Sequence, residues 1–256
     1  MGKFCECFKH KYLSLKLTLM STFLKAKWRN LIMANYEIDP NLLLPFLPKG
    51  VELDYYNGKC YVSLVGFLFA NTHIFKIPIP FWGNFEEINL RFYVVRKVAG
   101  ETRRGVVFIN ETVPNKIVAF IANKLYKEHY TAVPTKYSWQ INEAQKQIEY
   151  HWKVKQTWNS IKVNASAEKE KMKQGSFEEF IFEHYYGYTK VNEHKTLEYK
   201  VEHPSWEINK INNYQINCDF KLFYGAPFKV LNDSKPFSVM LAEGSDVRVK
   251  WKRNEI

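Results

Sequence analysis

A length of 256 residues with 46% hydrophobic and 16% aromatic content supports a sizeable core, and the sixteen Tyr, nineteen Phe and seven Trp favour strands over helices. The formal charge of +11 is uneven: residues 1–30 hold Lys3, Lys9, Lys11, Lys16, Lys25, Lys27 and Arg29 against Glu6 alone, and no zinc-finger or RNA-binding aromatic motif accompanies them, which argues against a nucleic-acid partner. Four cysteines with no clustered co-ligands exclude a disulfide scaffold and a zinc site, so no metal and no cofactor are expected.

The chain begins with a basic extension, residues 1–21, ahead of one domain spanning 22–256. Its apolar run "YLSLKLTLMSTFL" (12–24) is interrupted by Lys16, lacks a small-residue cleavage site and falls short of the roughly 20 apolar residues a membrane helix needs. Stable membrane insertion is therefore not expected, and the default location is cytoplasmic. Cys5 and Cys7 are too close to pair, whereas Cys60 and Cys218 read as small core residues.

Asp39 as cap and Pro40 in a first turn, followed by Leu42, Leu43 and Phe46 at helical spacing, predict a short helix stopped by Pro48 and Gly50. Asn57-Gly58 is a hairpin turn leading into the strand Tyr61–Phe67. In "NFEEINLRFYVV", strand geometry puts Glu87, Asn89, Arg91 and Tyr93 on one face and Ile88, Leu90, Phe92 and Val94 on the other. The polar face meets either water or a barrel interior, where an Arg fork would seat a small carboxylate.

"GVVFINETVPNKIVAF" (105–120) follows. Val106 to Ile109 is apolar on both alternating faces, and Glu111 ends the strand on the face predicted to be shared with Val107 and Ile109. That carboxylate either caps the next helix or sits at a cavity mouth. A helix from Pro114 would bury Ile117, Val118, Ile121 and Leu125, leaving Lys116 roughly 140° from the buried stripe and facing solvent. Schiff-base chemistry needs a desolvated lysine or one beside another cation.

Further strands are expected at "YSWQINEA", "KQIEYHWKVK", "SFEEFIFEHYYGYTK", "HKTLEYKVEHPSW", "QINCDFKLFYG" and "KPFSVMLAEGSDVRVKW", with "NASAEKEKMKQGS" (164–176) an exposed connection. As a strand, the third of these would align Phe180, Phe182, His184, Tyr186 and Tyr188 on one face and Glu179, Ile181, Glu183 and Tyr185 on the other; Glu198 and Glu202 would likewise share a face. The dipeptides Glu183-His184 and Glu202-His203 lack diagnostic metal spacing and fit acid–base residues or a hydrogen-bonded core equally. So many short strands with few helices indicate a mainly β sandwich or barrel.

With these segments in place, the chain resembles the YqjF-like family of uncharacterised bacterial proteins in the acetoacetate decarboxylase-like superfamily. The resemblance runs from about Thr22 to Val249 and rests on "FLKAKWRNLIMANYEIDP", "FLPKGVELDYYNGKCYVSLVGF", "NFEEINLRFYV", "RRGVVFINETVP", "FEEFIFEHYYGYT", "EYKVEHPSW", "LFYGAPF" and "LAEGSDVRV". It implies a mainly β (α+β) fold: an antiparallel cone-shaped β-barrel with flanking sheet and a few helices, enclosing a pocket. Acetoacetate decarboxylase forms its Schiff base through the first lysine of a Pro-Lys-Lys run; the matching run here is Pro114-Asn115-Lys116, with Asn115 at the nucleophile's position. The pocket glutamate of that enzyme is matched by Ser63. Fold kinship therefore does not carry the chemistry with it.

The resulting expectation is a barrel pocket for a small carboxylate- or ketone-bearing molecule, with catalysis itself left open. Arg91 would hold the anion, with Glu87, Asn89, His184, Glu202 and His203 around the ligand and Glu111 and Glu183 as acid–base groups. The competing expectations are a lysine-dependent decarboxylase or aldol-type lyase using Lys116, and a non-catalytic structural protein whose barrel is filled by its own side chains. A homo-oligomer is compatible with all three.

Overall fold

The computed structural model describes residues 22–78, 83–250 and 254–256. The basic segment 1–21, with Cys5 and Cys7, lies outside them. In chain order the strands are β1 (Thr22–Ile38), β2 (Glu52–Leu53), β3 (Cys60–Ile74), β4 (Ile77–Pro78), β5 (Phe85–Val98), β6 (Glu101–Val113), β7 (Tyr130–Ala132), β8 (Thr135–Ile141), β9 (Gln145–Val154), β10 (Thr157–Lys171), β11 (Tyr186–Asn192), β12 (Lys195–Glu202), β13 (Glu207–Asn217), β14 (Ser238–Ala242), β15 (Asp246–Lys250) and β16 (Asn254–Glu255). The α-helices among the described residues are α1 (Lys116–Tyr126), α2 (Phe177–Phe182) and α3 (Phe220–Tyr224). None is long and apolar enough to cross a membrane.

Strand pairing closes a ring. β1 pairs with β3 along one edge, and the order continues through β5, β6, β11, β12 and β15, which returns to the first half of β1. All these contacts are antiparallel except β6–β11. The second half of β1, Leu31 to Asn35, pairs instead with β14, and from there a flanking sheet extends through β13, β10 and β9 to β8. A register shift between Arg29 and Ile32, with Asn30 at φ 50°, bends β1 so that one strand serves both the ring and the flanking sheet.

The closure at β6–β11 depends on glycine. A Cβ on Gly105 would lie 2.6 Å from the Tyr186 carbonyl oxygen, and one on Gly187 would overlap the Tyr199 ring.

Two cores follow from this layout. Ile88, Leu90, Phe92 and Val94 of β5 pack with Ile32, Leu64, Tyr150, Trp152 and Ile161 between ring and flanking sheet. Val65, Phe67, Tyr93, Val106, Phe180 and Trp206 pack within the ring. The central ring strands are thus buried on both faces, so the polar face of β5 meets the protein interior and not water.

Several local expectations are corrected. The predicted helix after Asp39 is two 3-10 turns, Pro40–Leu42 and Leu44–Phe46, because Pro45 supplies no N–H to continue an α-helix. "SFEEFIF" is not strand: Ser176 caps α2 by accepting from Glu179 N at 3.2 Å, and Glu179 reaches back to accept from Gly175 N at 2.6 Å. Residues 164–171, expected to be a connection, complete β10. "KPFSVMLAEGSDVRVKW" splits at Gly244 (φ 82°) into β14 and β15. The Asn57-Gly58 turn is as expected, both residues at positive φ and Tyr56 and Lys59 exchanging backbone hydrogen bonds of 3.0 and 3.1 Å.

Candidate functional site

The ring encloses a cavity of about 180 Å³. Its wall is largely apolar. Trp28 packs against Phe67 at 5.1 Å between ring centroids, Phe69 stacks on Phe85 at 4.8 Å, and His203 stacks on Trp206 at 4.2 Å. A barrel filled by its own side chains would leave no such space. Glu87, Asn89 and Arg91 line one side, at successive inward positions of β5.

Glu111 joins them through a bulge. Leu90 pairs with Asn110 but Arg91 pairs with Phe108, so Ile109 is an extra residue on β6 and the alternation shifts by one. Val106 and Phe108 therefore line the cavity together with Glu111, correcting the expected face of Val107 and Ile109, which pack in the outer core. Nor does Glu111 cap the helix. Asn115 does, its side chain accepting from Ile117 N at 2.7 Å and Val118 N at 3.3 Å.

Helix α1 roofs part of the cavity with Ile117, Val118, Ile121 and Ala122. Ile117, expected to be buried, remains 51% exposed. Lys116 faces solvent, and no lysine lines the cavity among the described residues. After α1 the chain turns at Lys127 (φ 60°) and runs as β7 parallel to the end of β6, with Tyr130 opposite Glu111. Asn123 fixes this return by bonding both the carbonyl (2.9 Å) and the N–H (2.7 Å) of Tyr130.

Three buried carboxyls meet here. Glu87 accepts from Asn89 Nδ2 and from the Tyr130 hydroxyl, each at 3.0 Å. Glu128, just before β7, accepts from the Thr189 hydroxyl. Burial pushes Glu87 up to about 7 against the pull of its two donors, with the Glu128 charge adding to the rise. Burial likewise pushes Glu128 up to about 7. Glu111 is raised well above the usual carboxyl range by burial first and then by the charges of Glu128 and Glu87.

Arg91 is the cation among them. Its guanidinium contacts Met33 Sδ at 3.9 Å and lies 5.7 Å from the Tyr93 ring centre, while its Nε is buried without an acceptor. No carboxylate among the described residues is within ion-pair distance of it. Trp28 Nε1, Thr72 Oγ1, Asn89 Oδ1, Glu111 Oε2 and His184 Nδ1 are further buried polar atoms without a protein partner, all on residues lining this cavity. Unpaired buried polar atoms are costly and uncommon in a native fold, and six of those among the described residues, the Arg91 Nε included, lie on residues lining this cavity.

His184 and His203 also line the cavity, but the acids beside them in sequence do not. Glu183 caps the end of α2 and accepts from the Tyr185 hydroxyl. Glu202 sits on the outer surface, where Lys250 pairs with it at 2.9 Å. The helical start of "SFEEFIF" explains the first miss; for the second, Glu202 and His203 follow opposite directions off β12. Glu198 is buried in an ion-pair cluster with Arg96 and Arg103 at 2.9 and 2.7 Å, away from the cavity.

The sequence reading missed Glu128, Tyr130, Trp28 and Asp54. The first two depend on the parallel return of β7, for which the sequence carries no turn glycine at Lys127. Among the described residues no group of three or more His, Cys, Asp or Glu is arranged to hold a metal ion.

The model of the DUF2071 family, described as "Uncharacterized conserved protein", matches residues 25–246. The uncharacterized protein YqjF of Bacillus subtilis (strain 168) is 27% identical over 108 residues, 42% of this chain and 43% of YqjF, so the match spans less than half of that relative. Acetoacetate decarboxylase from Legionella pneumophila has a similar fold, with a TM-score of 0.63 and 12% identity over 92% of this chain and 88% of that one. An acetoacetate decarboxylase-like enzyme from Sphingomonas wittichii RW1 gives a TM-score of 0.63 and 10% identity over 93% and 94% of the two chains. The enduracididine biosynthesis enzyme MppR complexed with pyruvate gives 0.60 and 10% over 92% and 90%. At such identities the likeness is one of fold.

Proposed function

The chain belongs to the DUF2071 family, and on that premise we propose that its cavity binds a small carboxylic acid with an apolar body, the carboxylate seated on Arg91. The observation that carries this reading is the convergence of Arg91, Asn89, Glu87 and Glu111 on one otherwise apolar cavity, with the guanidinium paired to no carboxylate among the described residues. Burial raises all three glutamates, Glu87 and Glu128 to about 7, so in mildly acid solution they offset the Arg91 charge little. A ligand carboxylate neutralises it and matches the guanidinium fork. Trp28, Phe67, Phe69 and Trp206 then enclose the apolar body.

The pyruvate complex of the similarly folded MppR supports a small oxo or related acid as the ligand class. The lining favours proton transfer over covalent amine chemistry. Glu111 is buried, its carboxyl is raised well above the usual range and its Oε2 is unpaired, so it is the group suited to donate a proton to a ligand carbonyl, while the lining holds no lysine among the described residues.

The test is calorimetric titration of the full chain with 3-phenylpropanoate, phenylpyruvate and the uncharged 3-phenylpropanamide at pH 6. The acids are expected to bind at least tenfold tighter than the amide. Equal binding of acid and amide would sink the carboxylate reading.

A further inference from the structure

Beside Arg91 the cavity presents an acceptor that a plain carboxylic acid leaves unused. Asp54 lies in ion-pair contact with Arg104, at 2.7 Å, and faces His184 Nε2 at 3.3 Å. Burial alone would raise the Asp54 carboxyl, but the hydrogen bonds from His184 and Arg104 outweigh it and hold it below its ordinary value. An ionised carboxylate only accepts, so His184 Nε2 carries the N–H. The ring packs against Tyr93 and, edge-on, Phe180, at 4.7 and 5.3 Å between centroids, and burial pushes it down to about 4, with the Arg104 and Arg91 charges adding to the fall. A neutral imidazole holds one proton. It is on Nε2, which leaves a lone pair on Nδ1.

That Nδ1 is buried without a partner, and His184 lines the cavity. The Tyr93 ring centre lies 4.7 Å from the His184 ring centre and 5.7 Å from the Arg91 guanidinium carbon, so both groups pack around the same ring, and the Arg91 charge acts on the imidazole. Leaving a buried acceptor unpaired costs as much as a lost hydrogen bond. A ligand that satisfies both groups carries a carboxylate and, close to it, a hydrogen-bond donor.

We propose that the ligand is a 2-hydroxy acid, or the enol form of a 2-oxo acid, whose hydroxyl donates to His184 Nδ1 while its carboxylate lies on Arg91. This rests on the carboxylate reading above and narrows it to one substrate class. An ammonium in place of the hydroxyl is disfavoured because Arg91 and Arg104 both place positive charge beside His184.

The experiment compares 2-hydroxy-3-phenylpropanoate, 3-phenylpropanoate and phenylalanine in titrations of the full chain at pH 6. The hydroxy acid is expected to bind about tenfold tighter than the unsubstituted acid, the contribution of one well-made hydrogen bond, and phenylalanine weaker than both. In His184→Phe that preference disappears while 3-phenylpropanoate still binds. Should that variant fail to fold, 15N-imidazole NMR of the wild-type protein serves instead: an unprotonated Nδ1 whose resonance moves with the hydroxy acid but not with 3-phenylpropanoate. Equal affinities for the first two acids would overturn this inference and leave the carboxylate reading intact. Failure of every acid to bind would overturn both, and tighter binding of phenylalanine would replace the hydroxyl by an amino group.

Discussion

The Tyr130 hydroxyl donates to Glu87 Oε2 at 3.0 Å, bonding β7 to β5 across the end of β6. That bond favours the ionised form of Glu87, against the burial that raises it to about 7. In Tyr130→Phe the Glu87 titration should move upward, and stability above pH 7 should fall by about 1–2 kcal/mol. Carboxyl 13C NMR and urea denaturation at pH 7.5 read both effects. An unmoved Glu87 titration would mean that the hydroxyl does not serve the carboxylate.

The raised carboxyls make stability fall as pH rises. A folded-state value of about 7 for Glu87, against an ordinary value of 4.5, means that the native protein binds the proton more tightly than the unfolded chain. The contribution is fully present below about pH 4.5 and lost as pH climbs through 7. Glu87→Gln keeps the shape without the titration, so its stability relative to wild type should improve by on the order of 2–3 kcal/mol between pH 5 and pH 8. Thermal denaturation of both proteins at those two pH values gives the difference, and parallel curves would count against a buried, proton-holding Glu87.

At the start of α1, Asn115 and Lys116 have separable roles. Asn115→Ala removes the cap and should cost about 1 kcal/mol. Lys116→Ala changes an exposed side chain and should stay within about 0.5 kcal/mol. Borohydride reduction in the presence of pyruvate, read by mass spectrometry, should leave Lys116 unmodified; a pyruvyl adduct there would restore the Schiff-base mechanism.

Ring closure can be probed at Gly187. Its Cα faces the Tyr199 ring so closely that an added methyl overlaps it, and Tyr199 itself lines the cavity. Gly187→Ala should cost about 1–3 kcal/mol by overpacking. It should also weaken binding of 3-phenylpropanoate, because the displaced phenol enters the cavity. A variant with wild-type stability would show that β6 and β11 are less tightly opposed than the structure indicates.

How far the site could be read in advance depended on backbone regularity. The inward face of β5 was legible because Glu87, Asn89 and Arg91 keep strict period two through an unbroken strand. Its setting was not: the same polar pattern serves a wetted sheet, and only ring closure and the outer core turn it inward. Glu111 was left between a cavity mouth and a helix cap and was put on the wrong face, since a one-residue bulge leaves no mark in the composition of "VVFINE". The α2 helix was legible in principle from Ser176 and Glu179, yet its run of aromatics reads equally as strand. Glu128 and Asp54 come from segments distant in sequence, and nothing local announces their arrival.

The central claim is that Arg91 holds a ligand carboxylate, and its most direct measurement is calorimetric titration of 3-phenylpropanoate into the wild type and Arg91→Met at pH 6, with folding of the variant verified by circular dichroism. Methionine keeps most of the apolar stem and removes the charge. The predicted result is a loss of affinity of at least about fiftyfold, as expected for removal of a charge-assisted pair in a buried site. Unchanged affinity in a folded Arg91→Met protein would contradict it.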